Sequence, residues 1–215
     1  MSATSKNILI INGSLRGTAG NSYAVAKHAE QMLLNELQQQ VTLLTLTDPQ
    51  PSVNEVYNLL FRCDALLVVT GVYWNNWSSP LQRFVEVTTA FENTPAFFGK
   101  PMACAVTMDS VGGIEVAARL QAVFGGLGCW SPPCSTVVLS RTGQEAIAAS
   151  AGTEDDPNKD VWRMDDMHIV LKNLVTAATM PRNNWLAWPH TELMIPNGPW
   201  PDKGPIDMGT PKFLP

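Results

Sequence analysis

A chain of 215 residues is long enough for one domain that buries roughly 70% of its unfolded surface, so it needs no disulfide framework. The net charge of −5, without a Lys/Arg cluster, argues against an electrostatic nucleic-acid surface. Every apolar run falls well short of the ~18 residues of a membrane span, so no membrane contact is expected. The stretch Met1–Asn7 carries no basic n-region or small-residue cleavage site, which makes the cytoplasm the expected compartment and a small molecule the expected partner. Cys63, Cys104, Cys129 and Cys134 show neither CxxC nor zinc-ligand spacing, and buried free thiols are expected.

Along the chain, apolar stretches of strand length alternate with longer helical patterns as far as about residue 180, the signature of a parallel sheet covered by helices on both faces. The first strand is Asn7–Asn12. A helix over Ser22–Gln39 follows, with Tyr23, Ala26, Ala29, Leu33 and Leu37 on one face and Asn21 or Ser22 as its cap. Val41–Leu46 reads as the second strand and Val53–Phe61 as a short helix. Ala65–Thr70 is apolar almost throughout, as a strand buried on both faces must be. Next come a helix over Pro80–Phe91, a strand over Met102–Thr107, a helix over Ile114–Leu127 ended by Gly128, and a fifth strand over Ser135–Leu139. An acidic loop, Gly152–Asp160, precedes a last helix over Val161–Ala178. Residues 181–215 hold eight of the sixteen prolines and three of the seven tryptophans, which excludes a regular helix and points to an extended tail laid over the domain or a partner subunit. The expected organisation is a domain over residues 1–180 and this tail over 181–215.

Ligands of an open parallel sheet bind outside the carboxyl ends of its strands, where strand order reverses. Three loops therefore matter. After the first strand, "GSLRGTAGNS" sets Ser14, Thr18, Asn21 and Ser22 at the positive end of the next helix, a place that binds phosphate without a lysine. Arg16 either adds a charge-assisted bond to a phosphate or faces water. It is neither a Walker A loop nor GxGxxG. After the third strand, "TGVYWNNWSSPLQRF" brings Val72, Tyr73, Trp74 and Trp77 as walls for a flat ring system, or as packing beneath the next helix, with Asn75 and Asn76 as polar edges. After the fourth, "TMDSVGGIEVAARL" offers Asp109, Ser110, Gly112 and Gly113, suited to the polar edge of such a ring or simply to a tight strand-to-helix turn.

These three segments, in this order, resemble those of the NADPH-dependent FMN reductase family, the flavodoxin-like NAD(P)H:flavin and quinone oxidoreductases. The resemblance spans about Asn7 to Leu139. It implies an α/β, flavodoxin-like three-layer sandwich with a five-stranded parallel sheet in the order 2-1-3-4-5. It also implies FMN as cofactor, its phosphate held by Ser14, Arg16, Asn21 and Ser22 and its ring flanked by Tyr73 and its neighbours and by Asp109, Ser110, Gly112 and Gly113. The chain departs from the family pattern where Gly71 stands in place of a proline, Gln82 or Arg83 in place of a lysine, Glu86 in place of an aspartate, and "LTLTDPQPS" in place of an acidic DLxxxxLP stretch.

The implied activity is hydride transfer from NAD(P)H through FMN to a small acceptor such as a quinone or flavin, with ping-pong turnover in a homodimer or homotetramer. The cofactor does that chemistry, so no catalytic side chain is expected. His28, His168 and His190 lack HxxxH or HExxH spacing, which argues against a metal site, and no GxSxG supports a serine nucleophile. Two other readings stay open: a flavodoxin-like electron carrier without NAD(P)H turnover, and a degenerate member that has lost FMN and serves as a binding or assembly module.

Overall fold

Alternating residues of each central strand enter two separate cores, and this divides the molecule into three layers. In the computed structural model, which describes residues 5–47, 51–150, 164–182 and 185–188, the strands are β1 (Asn7–Asn12), β2 (Gln40–Thr45), β3 (Ala65–Gly71), β4 (Met102–Met108) and β5 (Thr136–Ser140). They pair in parallel in the order β2-β1-β3-β4-β5. The helices are α1 (Asn21–Asn35), α2 (Val53–Arg62), α3 (Ser79–Thr88), α4 (Gly113–Leu127), α5 (Arg141–Ser150) and α6 (Asp165–Ala178). Ile8 and Ile10 of β1 face α1 and α6, while Leu9 and Ile11 join the core formed with α2, α3 and α4. All seven residues of β3, the middle strand, are buried. Its continuous apolar run is what a strand covered on both faces requires.

Several boundaries differ from expectation for local reasons. Helix α1 is not capped by Asn21 or Ser22: its N-cap is Gly20, in extended backbone, with no side-chain cap bond. A Cβ at Gly20 would overlap Ser14 Oγ, so the loop requires glycine where a capping side chain would otherwise stand. The same helix ends at Asn35, short of Gln39, because Gln38 turns the chain with φ 55°. Helix α5 follows β5 directly, a helix the sequence pattern hides because Gly143 in its first turn reads as a breaker. Cys63, Cys104 and Cys129 are buried free thiols, but Cys134 is exposed, at a left-handed φ of 51°.

The acidic loop Gly152–Asp160 and the start of the last expected helix, Val161–Arg163, lie outside the described residues, as does most of the tail. Of the tail, Arg182 Nη2 donates to the carbonyl of Asp64 at 2.7 Å and pairs with its Oδ1 at 3.1 Å, while Trp185, Leu186 and Trp188 are exposed. Among the described residues, no helix is long and apolar enough to cross a membrane.

Candidate active site

Three strand ends at the carboxyl edge of the sheet are tied to one another before any ligand is considered. The chain leaves β1 at Gly13, whose N–H donates to Val69 O at 2.8 Å and whose missing side chain makes room for Leu81. Ser14 is buried: its N–H donates to Asn12 Oδ1 at 3.1 Å, and its Oγ accepts the Arg16 N–H at 3.3 Å. Ser78, the N-cap of α3, donates its hydroxyl to Gly13 O and accepts from Leu81 N, which binds the first loop to the second. Asn21 and Ser22 occupy the first turn of α1, where backbone N–H groups have no intrahelical acceptor and the helix dipole is positive. Ser22 Oγ lies 3.0 Å from Thr107 Oγ1, joining that turn to the end of β4.

Beyond β3, Val72 N–H donates to Thr107 O at 2.9 Å, and Tyr73 and Asn76 then exchange backbone bonds of 2.7 and 3.0 Å. Trp74 and Asn75 between them have φ of 49° and 57°, the pattern of a two-residue turn with both central residues left-handed. This turn separates the aromatic residues by role. Trp77 returns to the core, its Nε1 donating to Gln82 Oε1 at 2.9 Å, whereas the Trp74 indole stands entirely in water. On the β4–α4 loop, Gly112 is left-handed at φ 89°, and a Cβ there would overlap Asn75 Oδ1. Asp109 O accepts from Thr142 N at 3.0 Å and from Ser140 Oγ at 3.2 Å, so the junction of β5 and α5 supports the third loop.

Between these loops opens a cleft of about 190 Å³. Of the residues nominated from sequence, it brings together Ser14, Arg16, Asn21 and Ser22 from the first loop, Val72 and Tyr73 from the second, and Asp109 from the third. Trp74, Asn75, Ser110, Gly112 and Gly113 do not line it; the contact of Asn75 with Gly112 places them where the hairpin abuts the β4–α4 loop. Thr18 faces a different hollow, beside Tyr23 and Thr45. The cleft adds Gly20, Gly71, Thr107, Met108 and Arg141, which sequence reasoning missed. Arg141 carried a readable signal, since it directly follows a strand at the carboxyl edge. Its guanidinium donates to Glu145 Oε1 at 3.0 Å; that bond and the Glu145 and Asp109 charges raise its pKa further.

The Arg16 guanidinium and the uncapped N-terminus of α1 suit an anion, Arg141 adds a second positive charge to the cleft against the Asp109 carboxylate, and Val72 and Tyr73 give it a less polar wall. Gly20 leaves room for the Ser14 hydroxyl beside the uncapped α1 N-terminus, so hydroxyl and backbone donors share the cleft with Arg16, and these residues fit a planar cofactor ending in a phosphate. A wider hollow of about 610 Å³ between α1 and α6, lined by His28, Glu36, Asp165 and His168 among others, touches no strand end. Among the described residues, no group of three His, Cys, Asp or Glu is placed to hold a metal ion.

A family profile described as NADPH-dependent FMN reductase matches residues 6–144, more than half of the chain. The chain belongs to the NADPH-dependent FMN reductase family. That family uses FMN, with NAD(P)H as electron donor. No curated protein sequence matches the chain. Among solved structures, it is similar to RosB with bound 8-demethyl-8-formylriboflavin-5′-phosphate (TM-score 0.65, 12% identity, 81% of this chain and 79% of that one). It is also similar to the apo form of the NADH:FMN oxidoreductase EMOB (0.59, 16%, 81% and 89%). A third is FerB, an NAD(P)H:acceptor oxidoreductase from Paracoccus denitrificans (0.56, 19%, 80% and 97%). At these identities the likeness establishes the flavodoxin-like fold that this member of the FMN reductase family shares with them.

Proposed function

We propose that this protein binds FMN in the carboxyl-edge cleft and catalyses electron transfer from NAD(P)H to a small acceptor of the quinone or flavin class, donor and acceptor alternating in ping-pong turnover. The observation that carries this reading is the convergence, in one cleft, of the α1 N-terminus, two arginines and the Val72–Tyr73 wall. When bound, FMN supplies the hydride chemistry, which no side chain here provides.

The chain's own share is placement and charge. The N–H groups of Asn21 and Ser22 and the Arg16 guanidinium hold the phosphate. Thr107, fixed between Ser22 Oγ at 3.0 Å and Thr70 O at 3.4 Å, keeps the two loops in register. Tyr73 would wall the ring, and Arg141 adds a second positive charge to the cleft, favouring an anionic ligand. The proposed assembly is a homodimer or homotetramer in the cytoplasm, and the proposed place of the tail over 181–215 is on the domain or on a partner subunit.

The test is an absorption spectrum of the purified protein supplemented with FMN, before and after anaerobic NADPH or NADH. Bound flavin bands that bleach on mixing support the reading. A flavin that binds and stays oxidised would assign the protein to electron carriage, and a protein that ignores FMN would leave it a binding or assembly module.

A further inference from the structure

Trp74 is doubly unfavourable where it stands. Its indole is as exposed as in an unfolded peptide, at 102%, and its φ of 49° puts a bulky L-residue in the left-handed region. Asn75, at φ 57°, is a residue type that tolerates this geometry; tryptophan is not. An asparagine or glycine at position 74 would close the same turn with less strain.

The turn that carries it is nevertheless held on several sides. Arg119 donates to Asn75 O, and its guanidinium lies 5.4 Å from the centre of the Trp77 ring. Asn75 rests on Gly112, and Val72 is bonded to β4 through Thr107 O. A braced hairpin therefore presents a free indole to water, one residue beyond Tyr73 of the cleft wall. Two more exposed apolar side chains lie within two residues of Gly112, Val111 on the loop that the hairpin touches and Ile114 in the first turn of α4. Backbone strain retained together with full exposure, beside a binding cleft, marks a side chain kept for contact with something outside the chain.

We propose that Trp74 is the acceptor platform: its indole stacks on a planar conjugated ring of the electron acceptor and selects such rings over compact, non-planar oxidants. A flat aromatic face at low conformational cost is what recognition of a planar ring needs, and the indole adds attraction through offset stacking. This inference rests on the FMN reductase reading and assigns the acceptor class to that same site.

The test uses the full chain loaded with FMN, as wild type, Trp74→Asn and Trp74→Phe, with 1,4-naphthoquinone as planar acceptor and ferricyanide as non-planar one. Trp74→Asn is expected to raise KM for naphthoquinone about tenfold with kcat nearly unchanged, while KM for ferricyanide stays put and Trp74→Phe recovers most of the loss. Without any donor, naphthoquinone should quench a component of the wild-type tryptophan emission that Trp74→Asn lacks. Thermal stability should hold or rise in Trp74→Asn, because strain is relieved. Equal KM changes for both acceptors would overturn the proposal. So would an unchanged naphthoquinone KM accompanied by loss of an oligomer, which would assign the indole to a subunit interface. A wild-type protein that fails to bind FMN would instead overturn the underlying reading, and is distinguished by the FMN titration that precedes the assay.

Discussion

Two helix ends, at opposite edges of one sheet, are treated in opposite ways. At the amino edge, the C-terminus of α2 is closed by the protein itself: the fully buried Lys100 donates from Nζ to Leu60 O and Phe61 O, with Cys63 Sγ 3.7 Å away. Around it, Asn7 N–H donates to Asp64 Oδ2 at 2.9 Å, Arg182 pairs with Asp64, and Trp130 Nε1 donates to Gly99 O at 3.2 Å. At the carboxyl edge, the N-terminus of α1 receives no side-chain cap, and its N–H groups face an open cleft beside Arg16 and Arg141. Where the chain supplies its own partner, a helix end contributes stability; where it withholds one, the same dipole and donors stay available to a ligand.

The contrast predicts opposite mutational phenotypes. The largest effect is expected from Gly20→Ala at the open end. The added methyl overlaps Ser14 Oγ and forces the first loop away from the α1 N-terminus. Losing two charge-assisted bonds to a phosphate, about 1.5 kcal/mol each, lowers FMN affinity by roughly 100-fold or more, with little change in urea midpoint. Flavin-fluorescence titration beside urea denaturation checks both halves.

The closed end should respond in the reverse sense. Lys100→Met leaves the Leu60 and Phe61 carbonyls without their donor inside the core and is expected to cost about 2 kcal/mol of stability while FMN affinity stays the same. A pH signature goes with it. Burial, only partly countered by Cys63, holds the Lys100 ammonium below the usual lysine range. Between that lowered pKa and the free-lysine value of about 10.4, the unfolded chain binds more protons than the folded one, so this group adds stability as pH rises through that window and adds no slope below it. Burial pushes the Cys63, Cys104 and Cys129 thiols up, which lowers stability in the same alkaline range, so the lysine contribution is read as the difference in urea midpoint between wild type and Lys100→Met, expected to grow as pH rises through that window.

How much of this was legible in the sequence follows from what kind of contact decides each feature. The five strands were readable to within a residue at either end, because a buried parallel strand must be a continuous apolar run and its ends are where that run stops. The glycines and hydroxyls of the first loop single it out, and Ser14, Arg16, Asn21 and Ser22 do line the cleft. Its cap was misread, since the need for glycine at position 20 comes from Ser14 packing across the loop. Ser22 and Thr107, 85 residues apart, meet only through the sheet order. Trp74 and Trp77 are three positions apart with nothing in the sequence to separate them, and a left-handed turn sends one to water and the other into the core. Arg141 escapes a sequence reading together with α5, because strand order reverses at β1 and β3 and the end of the edge strand β5 joins the cleft only through the packing of the loop at Asp109.

The central claim is that the open end of α1 exists to take a phosphate. The most direct measurement compares FMN with riboflavin, which is the same ring and ribityl chain without that group, by fluorescence quenching at fixed ionic strength. The account predicts that FMN binds at least about 100-fold more tightly, the difference narrowing in Gly20→Ala. Equal affinities for the two, in a protein that binds both, would contradict it.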